Sequence, residues 1–422
     1  MCADWKKDYA PDPVLAKIGK TARVHENGKT SYITSSSVFG MEDLKHVLAS
    51  GLVLSAKIPS SLHADIVGDG INDALCKAKG KLTREGVMQA VREVEGRYLR
   101  LPKENYVLAT SISLKCPLPY CRLRRDKRCI IFTPSLPKSF DQSSLRVRVS
   151  TLFHREVLPN DYYMVRTGCT GRNFQEAAVD ALDTLALFRG IWNFWLTRGR
   201  ASRSLCGDPD QVAEISLDPI RTLHMPNGKL ATDTIWYDSH YRKPVKCKKI
   251  TSKAWLELRE VDSWTRKRMS RSKDGGDFLT QAFIRYAVAL DEPSMDHTFL
   301  RLWSLLEFLT QTTKETRSKT TIRRAAFLCS EREYAIKELE HFRDMRNRAV
   351  HEDDLTRSSD IPVYQLKSYV DRLLLFLLVR CNMRETKAEM AEFLDSPCSL
   401  DALEKKIRMY RKAKVFLGKQ KA

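Results

Sequence analysis

Two hydrophobic periods divide the chain. In its first part apolar residues alternate with polar ones, and β-branched and aromatic side chains are frequent, over 106–114, 129–132, 145–153 and 162–167; this pattern predicts strands. Further strands are expected over 211–217 and 234–237. The segment 122–128, between the first two strands, reads as a basic loop. Helical spacing is present over 41–54 and over 83–98, where Val87, Val91, Val94 and Tyr98 share a face. A longer helix over 173–195 opens at Asn173, an N-cap with Glu176 three residues on. Its buried side is marked by Ala177, Ala181, Leu185, Phe188, Trp192 and Trp195, and the two tryptophans read as core. Asn27 and Gly28 mark a short hairpin in an otherwise polar start that holds Pro11 and Pro13.

Beyond residue 253 the strand pattern stops. Helices are expected over 254–269, 278–290, 296–310, 320–329, 331–348, 362–383 and 400–417, with Gly275, Gly276 and Pro293 as breaks. The sixth carries Val363, Leu366, Val370, Leu373, Leu374, Leu377 and Leu378, an apolar face wide enough for the centre of a bundle. The last sets Leu400, Leu403, Ile407 and Tyr410 against a ring of lysines and arginines, either a solvated face or one that lies along a phosphate backbone. The expected fold class is therefore α+β. An N-terminal arm over 1–37 precedes a mixed α/β domain over 38–252 and an all-α bundle over 253–422. No internal repeat and no glycine-rich phosphate loop is present, which removes the common nucleotide-binding folds from the first rank.

Charge changes this picture most. Among 422 residues, 72 Lys and Arg stand against 52 Asp and Glu, a formal charge of +20. Such a balance points to a polyanion, nucleic acid first. The eleven cysteines are scattered and contain no Cys-x2-Cys pair, so a reducing cytoplasm is expected. Cys116, Cys121 and Cys129 lack the spacing of a zinc site. No signal peptide and no membrane span is expected, since no apolar run is long enough.

The segment 342–352 concentrates candidate chemistry. Ala335, Leu339, Phe342, Ala349 and Val350 form one stripe, and Arg346 falls in its middle. A guanidinium cannot be deprotonated and is costly to bury alone, so it needs a partner or a ligand. Asn347 and His351 lie four apart beside it. This trio suits phosphodiester chemistry on RNA. Histidine can take the ribose 2′-hydroxyl proton or protonate the leaving 5′-oxygen. Arginine can hold the non-bridging oxygens as charge builds. The neighbouring 2′-hydroxyl is an internal nucleophile that DNA lacks, so no metal or cofactor is required.

The run Arg346, Asn347, Arg348, Ala349, Val350, His351, together with the helix over 299–307 that ends in Leu-Leu-Glu, resembles the HEPN ribonucleases, most closely the Apea-like group. The likeness covers about 254–395. It implies a helical bundle with Arg346 and His351 catalytic, Asn347 assisting, and two copies forming one cleft in a homodimer. On a regular helix Arg346 and His351 point about 140° apart, which a two-copy cleft accommodates. Arg343 and Arg348 flank the motif as candidate phosphate contacts. Glu307 offers the competing reading: a buried Arg346–Glu307 bridge with His351 as a helix-end cap. The expected function is a cytoplasmic endoribonuclease of antiphage defence or toxin-like growth arrest, answering a phage-derived or cellular trigger, with RNA and a second copy as partners and no membrane. The alternative is a non-catalytic basic module that binds nucleic acid and dimerises.

Overall fold

The computed structural model describes residues 3–24, 30–32, 41–78, 81–118, 120–125, 128–140, 161–199, 212–238, 245–271, 275–311, 318–351, 361–380 and 386–419. The fold is α+β, and the chain forms two compact units that interleave in sequence. The first comprises Met1–Leu108, Thr167–Leu182 and Leu223–Thr234; the second, Ala109–Arg166, Asp183–Thr222 and Ile235–Ala422. Among the described residues no strand follows Lys249, as expected, but helices lie on both sides of residue 252 and that boundary does not coincide with either unit.

The first unit opens with β1 (Asp4–Trp5), α1 (Asp12–Thr21), β2 (Ala22–Val24), β3 (Thr30–Tyr32), α2 (Met41–Ser50), β4 (Leu52–Val53), α3 (His63–Lys77) and α4 (Arg84–Arg100). Part of the segment expected as an arm is packed: β1 pairs antiparallel with β4, and Ala3, Leu15 and Ile18 join the core formed by α2, α3 and α4. Pro11 and Pro13 of that arm sit at the start of α1, where a missing N–H costs nothing. Glu95 ties the ends together, its carboxylate accepting from the backbone N–H groups of Ala3 and Ser55, each at 2.7 Å. The strands flanking the expected hairpin pair as Ala22↔Tyr32 and Val24↔Thr30; its turn, Asn27 and Gly28, lies outside the described residues. In α4, Thr83 accepts from Gly86 N–H as N-cap, and the four predicted face residues are buried.

Next come β5 (Glu104–Ile112), β6 (Leu114–Lys115), β7 (Cys121–Arg125), β8 (Arg128–Thr133), β9 (Tyr163–Gly171), α5 (Phe174–Thr197), β10 (Ile220–His224), β11 (Leu230–Tyr237) and β12 (Lys248–Lys249). Six of the strands form a sheet in the order β11-β10-β5-β9-β8-β7. The described part of the basic segment 122–128, expected as a loop, is instead strand: Arg122–Arg125 lie in β7 and Arg128 in β8, paired in register from Cys121↔Phe132 to Arg125↔Arg128. Buried Cys121 and Leu123 alternate with exposed Arg122 and Arg124, a period of two hidden by the density of arginine. The strand expected over 145–153 lies outside the described residues, as does residue 211. Residues 212–217 carry one bridge, Ile112↔Leu217, and no strand. In their middle the buried Asn193 side chain takes up three backbone groups, donating to Ile215 C=O and accepting from Glu214 and Ile215 N–H, while Ser216 N–H donates to Ser113 Oγ.

Asn173 caps α5 as its residue type predicts, accepting from Glu176 N–H at 2.8 Å. Glu176, nearly fully buried, accepts in turn from the Tyr98 hydroxyl at 2.7 Å, from Arg172 N–H and Nη1, and pairs with Lys103 at 3.1 Å. Burial alone would raise its carboxyl; the bonds from Tyr98, Arg172 and Lys103 hold it below the usual range.

The second unit holds α6 (Ser252–Met269), α7 (Gly275–Leu290), α8 (Met295–Leu309), α9 (Ser318–Ala326), α10 (Arg332–His351), α11 (Ile361–Arg380), α12 (Lys387–Leu394) and α13 (Leu400–Lys419). Gly275 and Gly276, expected as a break, open α7. The eight-residue α12 went unpredicted, although Thr386 and Glu389 form a capping box at its start. All seven apolar positions named for α11 are buried, against α8 above all. The buried Trp192 ring lies tilted on Phe188, centroids 4.7 Å apart, and edge-on to Trp255 at 5.3 Å, so that tryptophan is core; Trp195 is half-buried and donates to Thr265 Oγ1. Among the described residues no helix is long and apolar enough to cross a membrane.

Two features are directly testable. A Cβ on Gly190 of α5 would lie 2.1 Å from the Phe283 carbonyl oxygen of α7. Alanine gains about 1 kcal/mol of helix propensity over glycine, less than such overpacking removes. Gly190→Ala is therefore expected to lower stability by about 1–3 kcal/mol in urea denaturation. Because the folded state holds Glu176 deprotonated more firmly than the unfolded chain does, its contribution is complete above the ordinary glutamate range, about pH 4.3, and fades as pH falls through the lower folded value. Glu176→Gln is expected to cost about 2 kcal/mol at pH 7, and the gap in thermal stability to wild type is expected to close as pH drops below about 4.

Candidate functional site

Helix α10 positions the predicted motif at its C-terminal end. Ala335, Leu339 and Phe342 are buried, as their spacing predicts, and the Phe342 ring meets Phe299 of α8 edge-on, centroids 5.8 Å apart. On the other side, the Tyr369 hydroxyl of α11 donates to Glu338 at 2.6 Å; burial, and then this bond, raise that hydroxyl above the usual tyrosine range. Neither Glu338 nor Tyr369 was legible from spacing within one helix. Their pairing is a contact across 31 positions.

In the last turns the burial relaxes. Arg346 and Asn347 are half-buried, and Arg348 is exposed. Arg346 Nη1 donates to Asn347 Oδ1 at 3.1 Å, so the structure brings these two predicted residues into contact. The remaining N–H groups of Arg346 meet no acceptor among the described residues. Glu307, the proposed bridging carboxylate, instead accepts from Trp303 Nε1 at 2.9 Å, one turn earlier on α8. No ion pair joins it to Arg346 among the described residues. Arg343 pairs locally with Asp344 at 2.8 Å.

His351 is the final residue of α10. Its side chain, those of Ala349 and Val350, and Glu352 lie outside the described residues. The backbone puts Asn347 and His351 one turn apart on one face, about 40° from each other. Cationic groups are favoured here, where the last carbonyls of a helix carry partial negative charge. The arrangement can therefore offer a forked cation and an amide to an anionic group, with an imidazole-bearing position one turn on.

Elsewhere, among the described residues, no three His, Cys, Asp or Glu are placed to hold a metal ion. Cys129 accepts from Arg122 Nε at 2.7 Å across the β7–β8 hairpin, while burial pushes the Cys116 thiol upward. Compared with protein-family models, with curated proteins and with solved structures, the chain matches none.

The two accounts of Arg346 differ in stability. Removing one partner of a buried bridge costs about 3–5 kcal/mol, whereas an arginine without a carboxylate partner costs little to replace. Arg346→Met is expected to stay within about 0.5 kcal/mol of wild type, and Phe342→Ala is expected to lose about 3–5 kcal/mol, both read by chemical denaturation.

Proposed function

We propose that the chain is a metal-independent endoribonuclease of the HEPN type. The reading rests on one observation: a half-buried guanidinium at the end of a packed helix, bonded to its neighbouring amide and carrying no carboxylate among the described residues. A scissile phosphate supplies the missing negative charge. Arg346 holds the non-bridging oxygens, and Asn347 orients the fork or the phosphate. His351 takes the 2′-hydroxyl proton or protonates the departing 5′-oxygen. The products are a 2′,3′-cyclic phosphate and a 5′-hydroxyl. Two copies of α10 facing each other in a homodimer form the cleft, since one helix points Arg346 and His351 apart. Arg348, exposed, and Arg343 contact flanking phosphates. The setting is cytoplasmic defence against phage or toxin-like growth arrest, released by a phage-derived or cellular trigger.

The excess of basic residues favours a second reading, a module that binds nucleic acid without cutting it. RNA incubated with the purified protein in EDTA separates the two. Cleavage with cyclic-phosphate ends, reduced at least about 100-fold by His351→Ala and by Arg346→Ala with circular dichroism unchanged, is the expected result. Salt-sensitive binding that survives both substitutions, with no new ends, leaves the second reading standing.

A further inference from the structure

From Leu400 to Leu417 every residue of helix α13 is exposed except the half-buried Leu403, although half of the helix is apolar. Leu400, Ile407, Met409, Tyr410, Phe416 and Leu417 are 41–78% exposed. On a helical wheel most of the apolar residues share an arc of about 200°, entered only by Lys406 and Lys414. The opposite arc carries Lys405, Arg408, Arg411, Lys412 and Lys419 with Asp401 and Glu404. Seven basic residues against two acidic ones give the helix a net charge of +5. Among the described residues nothing covers the apolar face.

We propose that α13 lies on an anionic lipid bilayer, its apolar arc in the headgroup–acyl boundary and its basic arc toward the phosphates. Three occupants compete, and the two faces together choose between them. A second copy of the helix would bring like charges together and place Lys406 and Lys414 in the apolar seam, where lysine costs stability. A nucleic acid would neutralise the basic arc and leave Ile407, Met409 and Phe416 in water. A bilayer with acidic headgroups satisfies both arcs at once. The stems of Lys406 and Lys414 then run along the apolar surface, with their ammonium groups at the phosphates. The helix is too polar to cross the membrane, so it lies in the plane. This proposal is independent of the ribonuclease reading.

The test is flotation of the full chain with vesicles of phosphatidylcholine alone or with about 30% phosphatidylglycerol, in buffer at about 0.15 M salt. Binding to the anionic vesicles is expected, at least tenfold above the neutral ones. Two variants dissect it: Ile407→Gln with Tyr410→Gln and Leu417→Gln on one arc, and Lys405→Gln with Arg408→Gln and Lys412→Gln on the other. Each is expected to weaken binding at least about tenfold, since one basic residue near an anionic surface contributes about fivefold. All six positions are exposed, so thermal stability stays at the wild-type value and verifies folding. No flotation, equal flotation with neutral lipid, or binding that ignores the apolar triple overturns the proposal. So does an oligomer that the apolar triple dissociates in the absence of lipid, which would assign the face to a second copy. Retention on RNA without lipid binding, lost in the basic triple, would assign the helix to nucleic acid.

Discussion

A lysine ammonium at the centre of the helical part sets the terms on which the second unit folds. Lys367 of α11 is 1% exposed. Left alone there, it would cost several kcal/mol. Its Nζ donates to Asp371 Oδ2 at 2.7 Å and to the Thr197 carbonyl at 3.0 Å, at the C-terminal end of α5. The Tyr286 hydroxyl of α7 donates to the other oxygen of Asp371. Burial pushes Asp371 up, and the bonds from Lys367 and Tyr286 only partly oppose it. The group is satisfied only when α5, α7 and α11 occupy one mutual register. It therefore adds less to net stability than to the selection of that register.

Arg346 follows the same physics to the opposite outcome. Both side chains are cationic, and both sit on helices whose neighbouring positions are apolar. Lys367 is sealed inside with an acceptor for its charge, whereas Arg346 stands at a helix end, half-exposed, with an amide for company. Partial hydration makes that state tolerable without a counter-ion. It also leaves the guanidinium's outer donors to an incoming anion, which a closed ion pair would forbid. The tight packing of Phe342 on Phe299 and of Tyr369 on Glu338 matters for this reason. It anchors the preceding turns, so that the loosening is confined to the end that bears the motif.

What was legible in the chain follows from the range of the forces involved. The long helices α5, α8, α10 and α11 repeat their apolar face over several turns, and caps such as Asn173 act within three residues; both kinds of information are local. Short elements carry less of it. Helix α12 has only two turns, and β7 presents two inward positions among arginines, so the count of charges masked the alternation. Residues 212–217 have the composition of a strand, yet the amide of Asn193, distant in sequence, took the hydrogen bonds of Glu214 and Ile215 at their centre. In the motif region the apolar stripe was readable from Ala335 to Phe342. The fate of Glu307 depended on a choice between a local donor, Trp303 one turn earlier on its own helix, and the distant Arg346, and helical spacing alone does not decide between the two.

Net charge misleads in the same way until partners are counted. Arg189 is bound to Asp291, Arg324 to Asp395 and Lys248 to Glu214, so these cations are already neutralised within the fold. Bonds from Arg324 and Arg323, against the opposing effect of burial, hold Asp395 below its usual range, which marks that pair as part of the structure. None of Lys405, Lys406, Arg408, Arg411, Lys412 and Lys414 on α13 is in an ion pair with a described residue. A charge that the fold has not used is the one free to meet an external anion. By that criterion α13 and the end of α10 are two places among the described residues where positive charge is left unpaired, and the overall excess of +20 is a poor guide to where an anion would be held.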